Sequence, residues 1–182
     1  MNLAKWKTKS LAGITRRKFL KYSGVAGGAI LFGMQGGFAM AKNKSQVALV
    51  NTENRKTGVA SSIKILGQNP VKNKDVIIKP NFNTADETPG STHNDTLVAL
   101  VEEVWKMGAK SVSLGERSYP LTREVMDQKG IIPLMEKLDV QIMNFDDLEG
   151  KDWVEFKPKD SHWRDGFRIA RPIIESECLI ST

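Results

Sequence analysis

From residue 47 onward the apolar positions recur at two spacings, and their alternation lays out the chain. Val47-Ala48-Leu49-Val50 is a short apolar run with polar residues on both sides, which predicts a buried strand. Thr57 to Leu66 then carries Val59, Ala60, Ile63 and Leu66 at helical spacing, with Gly67 as the stop. The clearest unit follows. Asp75-Val76-Ile77-Ile78-Lys79 is a β-branched run that halts at Pro80, and a polar loop covers Asn81 to His93. Asn94 or Thr92 is placed to cap the next helix, whose Leu97, Leu100, Val101, Val104 and Trp105 share one side, with Glu102, Glu103 and Lys106 on the other. The helix closes at Gly108, and Ser111-Val112-Ser113-Leu114 is the next strand. Strand, helix and strand in this order form a βαβ unit, which implies a parallel sheet and a right-handed crossover.

The stretch from Leu121 to Leu138 is helical in spacing but interrupted at Gly130 and Pro133, so it predicts two short helices. Val140-Gln141-Ile142-Met143 continues the rhythm as a strand and runs into the acidic Asn144-Phe145-Asp146-Asp147. Beyond Gly150 the texture becomes β-rich: Trp153, Val154 and Phe156 suggest one strand and Phe167 to Ala170 another, around a polar loop from Lys157 to Gly166. Ile173-Ile174 and Cys178-Leu179-Ile180 read as a strand returning to the core. The fold expected is α/β, an open, mostly parallel sheet of βαβ units with a small β-rich insertion. No helix follows the last strand to cover the sheet, so the sheet is expected to be incomplete at its C-terminal end; a frayed tail after a complete domain is the alternative.

Composition changes this picture at one end only. The chain has 182 residues, 40% hydrophobic and 26% charged, with a formal charge of +6. All seven basic residues of the first 41 positions stand there without an acid, which leaves 20 bases against 21 acids from Lys42 onward. The surplus is therefore local, and neither nucleic acid nor an anionic membrane is implied as a partner of the rest. Within that basic segment Thr15-Arg16-Arg17-Lys18-Phe19-Leu20-Lys21 precedes a Gly-rich apolar stretch from Tyr22 to Phe38 and then Ala39-Met40-Ala41, a small-x-small cleavage site. The run resembles a twin-arginine (Tat) signal peptide at each specified position, through Arg16, Arg17, Phe19 and Leu20. That resemblance implies recognition by the Tat translocase, export in a folded state, cleavage between Ala41 and Lys42 and a periplasmic or other extracytoplasmic location. No stable membrane insertion is expected after cleavage; a retained anchor is the alternative. The domain plan is a signal over 1–41, a tether over 42–46 and an α/β domain over 47–182.

The strand Val76-Ile77-Ile78-Lys79-Pro80-Asn81-Phe82 resembles the opening signature of the domain of unknown function 362 (DUF362) family. Thr92-His93, Gly108-Ala109-Lys110 and Gly115-Glu116 follow in the family's order. The resemblance implies that residues 47–182 are the N-terminal part of a DUF362-like domain, whose pattern continues further in the family. Some members look like iron–sulfur proteins with ferredoxin-type cysteine clusters. With Cys178 as the single cysteine, such a cluster would have to be held by residues beyond this chain or by a partner, and the cofactor is otherwise unknown.

Lys79, Asn81, His93 and Glu116 fall at the ends of predicted parallel strands or at a helix start, the rim where open α/β sheets bind ligands. A cation, an amide, an imidazole and a carboxylate there suit an anionic or carbonyl-bearing ligand, with His93 or Glu116 as acid or base. A structural reading stands beside it: turn and cap residues with solvated rim charges. His93, His162, Cys178, Asp146, Asp147 and Asp165 match no standard metal-ligand spacing, so no metal site is assigned. Trp153, Phe156 and Trp163 are expected to pack in the core or at a sheet edge. Whether the chain is an enzyme stays open: the two readings are a ligand or redox protein of the DUF362 type and a non-catalytic exported binding domain.

Overall fold

A computed structural model describes residues 45–119 and 121–182. The expected export signal, with Arg16, Arg17, Phe19, Leu20, Ala39 and Ala41, lies outside the described residues, as does the start of the tether. Residues Ser45–Thr182 form one compact unit.

Four strands build its central sheet: β1 (Asp75–Lys79), β2 (Ser111–Glu116), β3 (Gln141–Asn144) and β6 (Cys178–Ser181). They lie in the order β3-β2-β1-β6 and every neighbouring pair is parallel, as the βαβ pattern predicts. Register pairs Ile78 with Leu114 and Ile180, so the apolar side chains of adjacent strands stand level. Val76, Ile78, Val112 and Leu114 belong to one buried cluster with Leu97, Val101 and Val104 of α2 (Asn94–Lys106), with Cys178 and Ile180 packed against it. Period 2 in the strands meets period 3.6 in the helix, and both stripes leave water together.

Helix α1 (Arg55–Leu66) is capped by Asn54, whose side chain accepts from Thr57 N at 2.9 Å, and stops at left-handed Gly67. It buries no residue fully and lies on α2, where Lys56 Nζ meets Glu102 Oε2 at 2.7 Å. The interrupted stretch is two helices, α3 (Thr122–Gln128) and α4 (Ile131–Lys137), separated at Gly130 with φ +64°. Pro133 does not break α4: it occupies the first turn, where its missing N–H has no helical partner to lose. The β-rich insertion is a hairpin of β4 (Trp153–Phe156) and β5 (Phe167–Ala170), antiparallel and closed by the stacked rings of Phe156 and Phe167. Among the described residues no helix is long and apolar enough to cross a membrane.

Three expectations are corrected. Val47–Val50 is not a strand; Val47 and Leu49 are 87% and 93% exposed. Both sides of β1 are already occupied, by β2 and by β6, so the central slot such a strand would need is taken. Ile173 and Ile174 are not in a strand but in the short helix α5 (Arg171–Glu175), which carries Pro172 in its first turn. Trp163 is 67% exposed at the hairpin loop instead of packed.

At the N-terminal ends of its strands the sheet is pinned. Asp75 accepts from Lys110 Nζ at 2.8 Å and Ser111 Oγ at 2.6 Å, and its own N–H donates to Glu177 Oε2 at 2.8 Å. These bonds tie β1 to the starts of β2 and β6. The Lys110 ammonium, then the Ser111 hydroxyl, hold the Asp75 carboxyl below its ordinary value, and Asp75 in turn raises Lys110.

Candidate functional site

At the C-terminal edge, β1 ends because Pro80 has no N–H to continue a ladder. Lys79 is its last residue and Glu116 is the last of β2. Their side chains meet, Lys79 Nζ to Glu116 Oε1 at 2.9 Å. The glutamate is 2% exposed and the lysine side chain 39%, so the pair has a buried anion and a cation that reaches solvent. Glu116 also accepts from two backbone amides, Arg117 N at 2.8 Å and Phe82 N at 3.0 Å. One carboxylate thereby anchors the loop leaving β1 and the loop leaving β2, and three donors offset the cost of burying its charge. Glu116 is not the solvated rim charge of the structural reading.

Asn81 stands just past β1 with an exposed side chain, whose Nδ2 donates to Gly90 O at 3.4 Å. Its backbone N–H donates to Thr92 Oγ1 at 2.9 Å and its carbonyl accepts from Thr92 N at 3.0 Å, so the loop closes on itself. Thr92 is therefore not the helix cap, and neither is Asn94, whose Nδ2 donates to Lys129 O at 2.7 Å. His93 is the cap: its Nδ1 accepts from Asp95 N at 3.1 Å. The imidazole serves α2, while Lys79 and Glu116 hold each other and Asn81 holds the loop. His93 lines two cavities of about 650 and 560 Å³ together with Arg55, Asn94 and Asp95, and Lys79, Asn81 and Glu116 line neither. The structure thus unites Lys79 with Glu116, sets Asn81 beside them in the chain, and gives His93 different partners.

Two residues that sequence reasoning did not place at the rim are brought there by the sheet order. β6 lies beside β1, and Thr182, just after it, donates its N–H to Lys79 O at 3.0 Å. Thr92 Oγ1 lies 3.3 Å from Thr182 O and 3.2 Å from Thr182 Oγ1. A separation of 90 in sequence hid the meeting of these threonines. The Thr92-His93 dipeptide was the available signal for one of them; the other had none.

A second polar group flanks the rim beyond β2. Arg117 lies over the Trp153 ring at 5.4 Å and its Nε is 3.5 Å from Asp146 Oδ1. Asp146 Oδ2 accepts from Thr122 N at 2.8 Å, and Thr122 Oγ1 accepts from Ser118 N at 2.9 Å. Among the described residues Ser118 Oγ is buried without a hydrogen-bond partner. Asp146 is thus a structural acceptor for the start of α3.

No three His, Cys, Asp or Glu side chains converge as a metal site among the described residues. An iron–sulfur centre does not fit the residues present: such a centre needs several thiolates, and the one cysteine, Cys178, is in β6 packed against the apolar core.

A family model described as domain of unknown function (DUF362) matches residues 76–182, more than half of the chain. Neither a curated protein nor a solved structure matches it.

Proposed function

The chain belongs to the DUF362 family, and we propose that this member is a Tat-exported binding protein that holds an anionic or carbonyl-bearing small molecule at the C-terminal rim of its sheet. One observation carries the reading: Lys79 is oriented by a buried carboxylate yet keeps its ammonium partly open to solvent at the end of a central parallel strand. An exposed lysine loses several rotors when a ligand fixes it; one already held by Glu116 has lost them on folding. Lys79 supplies the positive charge, Asn81 an exposed amide, and Glu116 the anchor that holds the lysine. His93, the cap of α2, lines cavities that Lys79, Asn81 and Glu116 do not and is not assigned to this site.

Binding is favoured over acid–base catalysis because the imidazole is engaged as a helix cap and not aimed at Lys79. A redox or iron–sulfur role would need thiolates besides the single Cys178. The twin-arginine run supports export to the periplasm or an equivalent compartment, with residues 1–41 removed.

The test is a thermal-shift screen of the full chain against small carboxylates, keto acids and inorganic phosphate. Stabilisation by at least one compound, absent in Lys79→Met, is the expected result. A protein whose melting responds to none of them, or equally in wild type and Lys79→Met, refutes the rim as the site.

A further inference from the structure

We infer that a trough across the starts of α1 and α2 is a second binding site, and that its ligand is a small zwitterion with one positive charge in excess, the charge pattern of a basic amino acid. The site is separate from the rim: Lys79, Asn81 and Glu116 do not line it, and neither does any residue of β6.

The two cavities of about 650 and 560 Å³ share Arg55, His93, Asn94 and Asp95, so they are halves of one depression. Three bonds hold its walls. Lys56 Nζ meets Glu102 Oε2 at 2.7 Å and ties α1 to α2. Asn94 Nδ2 donates to Lys129 O at 2.7 Å and ties α2 to the end of α3. Lys129 Nζ donates to Ser91 Oγ at 2.7 Å and fixes the loop after β1 to the same point. The larger half also has an apolar side, made by Val98, Ala99 and Leu134.

Charge selects the ligand class. Arg55, Lys56 and Lys129 stand in the lining against Glu53, Glu87, Asp95 and Glu102, a net of −1 with His93 neutral. Lys56 and Glu102 neutralise each other. Among the described residues Arg55 and Lys129 have no carboxylate partner, and Glu53 and Glu87 have no cation. Asp95 has only the His93 imidazole, 3.8 Å from its Oδ2. Two cations and three acids are therefore uncompensated. An anion alone would meet the acids, and a cation alone would meet Arg55 and Lys129. A ligand with one carboxylate and two cationic groups matches both sets. Its carboxylate pairs with the Arg55 fork and the Lys129 ammonium, and its cations pair with the three acids. A methylene stem between those cations suits the apolar side of the larger half. Because Glu53, Arg55, Glu87 and Asp95 are exposed, each charged contact contributes little by itself.

The test is NMR titration of the isotope-labelled full chain at low salt with three probes: L-arginine, agmatine, which lacks the carboxylate, and citrulline, which lacks the side-chain charge. Saturable amide shifts at Arg55, Asn94 and Asp95 are expected, with arginine bound about threefold or more tighter than either analogue, one exposed charge contact in each comparison. Arg55→Gln should weaken arginine about threefold without weakening agmatine. Lys129→Met repeats that comparison from the other cation. Glu53→Gln combined with Glu87→Gln should erase the advantage of arginine over citrulline. Lys79→Met should leave arginine binding unchanged, so this site and the rim fail independently. Equal affinity for the three probes overturns the ligand class, and equal loss of arginine and agmatine in Arg55→Gln overturns the carboxylate contact. No saturable shift, shifts that bypass Arg55, Asn94 and Asp95, or arginine binding abolished by Lys79→Met overturns the site.

Discussion

Replacing Glu116 by alanine removes an acceptor that three donors share, and the consequences for each differ. Phe82 is fully buried, so its N–H cannot turn to water and is left unsatisfied, at about 1–3 kcal/mol. Arg117 is exposed, and its N–H can recruit solvent at smaller cost. The Lys79 ammonium, partly open already, can rehydrate. The removed side chain also leaves a void beside buried Phe82. Together these effects amount to about 2–4 kcal/mol, chiefly the unsatisfied Phe82 N–H and the void, since the lysine left behind is not a buried charge. Glu116→Gln keeps the shape and one acceptor oxygen, but turns an NH₂ group toward a cluster of donors, and should cost about 2 kcal/mol. Urea denaturation of the full chain, followed by circular dichroism, measures both. With domain stabilities of about 5–15 kcal/mol, the alanine variant should lose a large part of the total, and its melting temperature should fall by roughly 10 °C. The expected order is wild type, then Glu116→Gln, then Glu116→Ala, at unchanged denaturant slope. An alanine variant within about 1 kcal/mol of wild type would mean that the pair behaves as an ordinary surface ion pair and that Glu116 does not anchor the two loops.

Other consequences are as specific. A Cβ at Gly115 would lie 2.5 Å from Phe145 Cζ and 3.2 Å from Ile77 Cγ2, so Gly115→Ala should destabilise by about 1–3 kcal/mol, whereas Gly150→Ala, with nothing within 4 Å, should be near neutral in the same urea assay. The Asp75 carboxyl titrates below its ordinary value of 3.8 in the folded protein, so its contribution is present above that value and is lost as pH falls through the folded pKa. Asp75→Asn should therefore flatten the acid limb of stability against pH below about 4, and salt should reduce the difference because the Lys110 pair is exposed. His93→Ala should cost about 1 kcal/mol through the lost cap of α2, and His93→Asn should recover most of it; equal stability of the two variants would remove the capping role. Replacing Arg16 and Arg17 by lysines should block export, with residues 1–41 retained on intact mass, whereas exported wild type should begin at Lys42; unprocessed protein in the exported fraction would contradict cleavage.

Elements whose own residues decide their state were legible. The β-branched run before Pro80 could only be a strand that stops there, and the apolar stripe from Leu97 to Val104 could only be a helix with one buried side. Gly130 and Gly67 marked helix ends because left-handed backbone suits glycine. Where a neighbour decides, reading by pattern misled. Val47–Val50 has strand composition but no open slot beside β1. His93, rather than Thr92 or Asn94, caps α2, because those two side chains are drawn off to Thr182 and Lys129.

The candidate site divides along the same line. Local sequence determined that Lys79, Asn81 and Glu116 would stand at strand ends, because strand length and the proline stop are short-range properties. Tertiary structure alone decided that Glu116 is buried, that it holds Lys79, and that Thr182 closes against Thr92. Those facts depend on which strands lie side by side, and strand order is set by crossovers through distant parts of the chain, whose packing no window of local residues contains.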